Sequence, residues 1–100
     1  MTVDLDWENL GFNYSKLPFR YISYYKDGKW DEGQLTEDAT LHISEASPAL
    51  HYGQEAFEGL KAYRTKDGAI QLFRPDENAK RLQRTADRLL MPQVPVDKFV

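Results

Sequence analysis

At 100 residues the chain is long enough for one small domain and too short for two, and 41% hydrophobic residues allow it a core of its own. A net charge of −3 provides no basic field for nucleic acid, the absence of cysteine removes disulfide and thiolate chemistry, and the two histidines, His42 and His51, are too few and too isolated for a zinc site. No apolar run approaches the ~20 residues of a membrane helix, and the opening MTVDLDWENL is acidic where a signal peptide would be basic, so a soluble, cytoplasmic protein is expected.

Residues 1–18 mix acids with Trp7, Leu10 and Phe12 without a sustained period, and read as an N-terminal arm that leans on something else. From Phe19 the run FRYISYYKDGKWDEG predicts a hairpin: an aromatic strand, a turn at Asp27-Gly28 suited to positive φ, and a return through Trp30. The segment ATLHIS alternates well enough for a short strand. Ser47 and Pro48 then supply an N-cap and a first helical residue for a turn or so of helix that Gly53 ends. A second hairpin is predicted with Phe57 to Arg64 as its outgoing strand, a turn at Asp67-Gly68, and a return over Ala69 to Phe73 that puts Ile70 and Leu72 on one face.

The clearest helix is PDENAKRLQRTADRLL, Pro75 to Leu90, with proline at its first position, acids in its first turn and Pro92 barring continuation. Ala79, Leu82, Ala86, Leu89 and Leu90 form its predicted buried stripe. Beyond it, Val96, Phe99 and Val100 fall at the spacing that opens another amphipathic helix. Together these elements predict an α+β fold, a small antiparallel-sheet domain of two hairpins with flanking helices over residues 19–92, followed at 93–100 by the start of an interdomain segment.

No nucleophile paired with a base, no phosphate-cradling glycine loop and no metal-ligand spacing is present, so neither a catalytic nor a metal-binding residue is assigned. Arg81, Arg84 and Arg88 share one helix face, which suits either a phosphate or simple solvation beside the negative end of the helix dipole. In the stretch HYGQEAFEGLKAY, Tyr52 and Phe57 read as core or as pocket wall, Gly59 as a bulge or a packing relief, Lys61 as a strand lysine facing water, and His51 as a short-helix residue bonded to backbone. Glu58 and Lys61 put charge where a core element carries none.

HYGQEAFEGLKAY followed by IQLFRPDENAKRLQRTADRLLMP resembles the amino-terminal domain of branched-chain amino acid aminotransferases, pyridoxal-phosphate enzymes of fold-type IV, over roughly Phe19 to Pro92. The wording HYG, FEGLKAY and LFRP, with Asn78 and Arg81 three apart in the next helix, is closer to that branch than to the D-amino acid aminotransferases or aminodeoxychorismate lyases that share the fold. The resemblance implies a small domain of the fold-type IV kind, with Arg81 on the phosphate of pyridoxal 5'-phosphate and with Tyr52 and Phe57 lining the pocket for a branched side chain. It also implies that Gly59, on the same strand parity as Phe57, leaves room for ligand. Tyr52 would reach the neighbouring subunit's pocket, implying a homodimer. Substrates would be leucine, isoleucine or valine with 2-oxoglutarate, as amino and 2-oxo acids. The family's Schiff-base lysine lies in a larger domain, and no lysine here, Lys61 and Lys80 included, stands in a matching motif. The 100 residues by themselves are therefore expected to be inactive, a structural or dimer-forming module being the other reading.

Overall fold

The computed structural model describes residues 14–100, and the expected arm lies outside them over residues 1–13. Two units are distinguished, one ending at Ile43 and one running from Ser44 to Val100. The expected α+β class of antiparallel hairpins and short helices is borne out for the described residues taken together, with hairpin strands in both units and the helices in the second.

In the first unit, β1 (Arg20–Ile22), β2 (Tyr25–Lys26), β3 (Lys29–Trp30) and β4 (Gln34–Thr36) form one long hairpin. The turn lies where Asp-Gly predicts it, with φ of 55° at Asp27 and 81° at Gly28, angles that splay the strands least when both are positive. Tyr25 faces Trp30 across the inner ladder, and their rings meet edge to face with centroids 5.3 Å apart. The outer ladder pairs Ile22 with Gln34 and Arg20 with Thr36.

Between the two ladders, Ser23 and Tyr24 face three residues, Asp31 to Gly33, so the return strand carries one extra residue and bulges. The Asp31 carboxylate holds this bulge, accepting from the Ser23 hydroxyl at 2.7 Å, the Tyr24 amide at 3.1 Å and the Gly33 amide at 2.9 Å. Gly33 has φ of 75°, and the Tyr21 ring lies across it with its hydroxyl donating to the Glu32 carbonyl.

The strand expected over ATLHIS does not form. β1 pairs with Gln34–Thr36, and the chain beyond is held by side chains instead. Thr40 donates its amide to the Asp38 carboxylate at 2.9 Å, the His42 ring meets the other Asp38 oxygen at 3.0 Å, and Arg20 donates to the carbonyls of Asp38 and Thr40. Such local side-chain bonds compete directly with ladder formation.

In the second unit α1 (Pro48–Tyr52) begins and ends as its sequence predicts: Ser47 accepts from the Ala49 amide at 3.3 Å, Pro48 opens the helix, and Gly53 closes it at φ 63°. His51 meets the Glu45 carbonyl through its ring, as expected of a short-helix histidine. The second hairpin pairs β5 (Ala62–Arg64) with β6 (Ile70–Leu72) around the Thr65 to Gly68 turn. Its outgoing strand is shorter than predicted. Phe57 to Lys61 have no strand partner and are irregular, so Phe57 and Gly59 do not share a strand face.

The helix α2 (Pro75–Arg88) follows Arg74, which has no side-chain cap and a left-handed φ of 47°, and Asp76 and Glu77 meet the positive end of the dipole. It stops two residues before the predicted end. Met91 donates to the Ala86 carbonyl at 2.8 Å and Leu90 to that of Asp87 at 3.2 Å, a Schellman closure with leucine rather than glycine at φ 57°. Leu90 thereby leaves the predicted stripe and is 91% exposed, whereas Ala79 and Ala86 are buried and Leu82 and Leu89 half-buried. The short helix α3 (Val96–Phe99) packs on α2, with Gln83 donating to the Val94 carbonyl at 2.8 Å. No helix among the described residues is long and apolar enough to cross a membrane.

Composition allowed a core that the described residues do not build: Ala79 and Ala86 are the buried hydrophobic residues, while Tyr14, Tyr63, Ile70 and Phe73 are all exposed.

Gly33 offers a direct test of the bulge. A Cβ there would stand 2.1 Å from the Tyr21 hydroxyl, on a backbone that L-residues adopt at a cost of about 1–2 kcal/mol. Gly33→Ala is expected to abolish amide-exchange protection across β1 and β4, and adding Tyr21→Ala should recover the steric share while leaving the φ share.

Candidate functional site

The site residues predicted from sequence fall into three places. Phe57 and Gly59, in the irregular segment before β5, line one hollow with Lys61, Tyr63, Phe73 and Asn78. Arg81 lines a second, with Arg84, Thr85, Asp87 and Arg88 along α2. Tyr52 stands at the end of α1, 87% exposed, and is not among the described residues that line either hollow.

What brings the first two places together is Glu58. Its carboxylate receives Arg81 in a two-pronged arrangement: Nε donates to Oε2 at 2.8 Å, and Nη2 donates to Oε1. The Asn78 amide nitrogen donates to Glu58 Oε1 at 2.9 Å and to the Gly59 carbonyl, also at 2.9 Å. One helix turn of α2, Asn78 to Arg81, therefore grips two consecutive residues of a segment that has no ladder of its own. The acid is covered and the base is not: the Glu58 side chain is 5% exposed and that of Arg81 61%.

The electrostatics follow from this geometry. The Arg81 hydrogen bonds, followed by that from Asn78 and the charges of Arg81 and Arg84, hold the Glu58 carboxyl below its ordinary value near 4.5 against the opposing effect of desolvation. Glu58 in turn pushes the Arg81 guanidinium upward. Glu58 was visible in the sequence only as a charge out of place, and its role as the hub was missed. The signal was the acid between Phe57 and Gly59 read against Asn78 and Arg81 at helical spacing.

At Gly59 neither conformation nor crowding calls for glycine. Its φ is not among the positive ones, and an added Cβ would make ordinary contact with the Phe57 ring at 3.8 and 3.9 Å. The missing side chain instead leaves space in the hollow. Phe57 is 88% exposed, so its ring is not part of a core among the described residues. Among the described residues no group of histidine and acidic side chains could hold a metal ion.

No protein-family model matches the chain. A branched-chain-amino-acid aminotransferase of Haemophilus influenzae is 70% identical over 97 residues, 97% of this chain and 28% of that protein. Its namesake from Helicobacter pylori is 57% identical over the same shares. A methionine aminotransferase of Arabidopsis thaliana is 45% identical over 99 residues, 98% of this chain and 28% of that protein. The resemblance read from the residues is thereby borne out across nearly the whole chain, which spans about 28% of the length of these relatives.

Because Glu58 is held below its ordinary value, it stabilises the fold above pH 4.5 and that contribution is lost as pH falls through the lowered folded value. In a carbon-13 titration of the side-chain carboxyls, the Glu58 midpoint should lie below 4.5, and Arg81→Ala should raise it.

Proposed function

We propose that this chain provides the cofactor-phosphate contact and part of the side-chain wall of a pyridoxal-phosphate aminotransferase, one that moves an amino group between leucine, isoleucine or valine and 2-oxoglutarate. The observation that carries the reading is the grip of Asn78 and Arg81 on Glu58 and Gly59, which ties a permanent cation to the edge of an aromatic hollow. The similarity to branched-chain aminotransferases supports it.

The residues suit the cofactor. Arg81 commits Nε and Nη2 to Glu58, and a guanidinium carries five N–H donors, so donors remain on a side chain that is 61% exposed. Arg84 and Arg88 share that hollow with Asp87, and on this reading they keep surface roles while Arg81 alone makes the phosphate contact. When bound, pyridoxal phosphate supplies the electron sink that transamination needs.

Each chain residue then has a bounded task. Arg81 holds the phosphate with a charge that does not titrate near neutral pH. Phe57 presents an apolar ring to the substrate side chain, and Gly59 leaves the volume that side chain occupies. Tyr52, exposed at the end of α1, serves the pocket of a second subunit in a homodimer. No lysine of the chain is assigned the proton transfers, which fall to a residue elsewhere in the full enzyme, a cytoplasmic protein on this reading.

In the full-length enzyme, Arg81→Ala should weaken pyridoxal phosphate by roughly 10- to 150-fold, the worth of a charge-assisted contact, while Arg84→Ala and Arg88→Ala leave it near wild type. Equal affinity in all three would return the arginines to a solvated helix face. Phe57→Ala should melt near wild type and lose kcat/KM for leucine by roughly 10- to 200-fold relative to glutamate. Unfolding, or an equal loss on both substrates, would remove Phe57 from the wall.

A further inference from the structure

We propose that Glu58 is a positioning residue for the cofactor phosphate: it sets the guanidinium of Arg81 in place before the phosphate arrives. This rests on the reading of Arg81 as the phosphate contact and adds a residue that the reading does not contain.

Arg81 leaves α2 on a long side chain that is 61% exposed, and an exposed arginine ordinarily samples many rotamers. Here it does not hang free. Glu58, 5% exposed, takes both the Nε and the Nη2 prongs, which fixes the plane of the guanidinium as well as its position. Asn78 fixes Glu58 in turn, and its second bond, to the Gly59 carbonyl, ties that carboxylate to the wall of the hollow. The bonded edge is Nε and Nη2, so an anion approaching the Nη1 side meets a cation lying between it and the carboxylate. The intervening cation screens the repulsion between the two anions, and a preset donor plane lowers the ordering cost of binding.

The test compares pyridoxal phosphate with pyridoxal, which lacks the phosphate, by absorbance titration of the full-length enzyme. Glu58→Gln should bind pyridoxal phosphate roughly 10-fold more weakly and leave pyridoxal within about twofold of wild type. Glu58→Asp keeps the charge but loses the reach, and should also weaken the phosphate form selectively. In an Arg81→Ala background, Glu58→Gln should cause no further loss. If Glu58→Gln weakens both ligands alike together with a fall in Tm, Glu58 only supports the fold and the proposal is overturned. If it leaves the ratio of the two affinities unchanged or raises it while Arg81→Ala still collapses that ratio, the positioning role fails and the phosphate reading of Arg81 stands. An unchanged ratio in Arg81→Ala overturns both.

Discussion

Within the unit from Ser44 to Val100, much depends on one carboxylate. Glu58 sits in a stretch with no ladder partner, between a short helix and a short hairpin, and a segment of that kind is normally held only by loop contacts. Here its position is set by charge-assisted bonds to α2, the most regular element of the chain, so the irregular backbone acquires the order of the helix. Phe57 and Gly59 flank the acid directly. Whatever fixes Glu58 also fixes the two residues that shape the hollow.

This arrangement stands in contrast to the weak apolar packing around it. Exposed ion pairs elsewhere on α2, Lys80 with Asp76 at 3.8 Å and with Glu77 at 3.4 Å, contribute little because both partners stay hydrated and each long side chain loses freedom. Glu58 differs because it is covered and triply bonded, and removal of one partner would leave its charge uncompensated. The cost of covering a carboxylate is met by geometry rather than by a surrounding core. The first unit shows the same economy: Asp31 orders its bulge and Asp38 orders the chain after β4 through side-chain acceptance of backbone amides.

The exposed aromatics have a consistent distribution. Tyr52, Phe57, Tyr63 and Phe73 all lie outside the elements' buried faces, and the two buried hydrophobic residues are alanines on α2. Ala79 and Ala86 are covered, whereas the rings of Phe57, Tyr63 and Phe73 line the hollow. On the proposed reading, the aromatic wall and the glycine gap would take an apolar side chain and the fixed cation an anionic group.

Local chemistry determined a good deal on its own. The Asp27-Gly28 turn, the Ser47-Pro48 start and Gly53 end of α1, and the Pro75 start of α2 could all be read from the residues, because each depends on the φ range or hydrogen bonding of one or two positions. The motifs around Tyr52, Phe57 and Arg81 were likewise legible as a resemblance. What the residues could not show was competition between distant partners. ATLHIS alternates like a strand but is held by bonds from Arg20 and Asp38 instead of a ladder, Phe57 to Lys61 found no partner to pair with, and Leu90 was drawn out of its stripe by the closure of α2. Glu58 is the sharpest case. Its meeting with Arg81, 23 residues away, depends on where the chain between them turns, and only the tertiary structure decides that because hydrogen bonds require contact that sequence spacing does not encode.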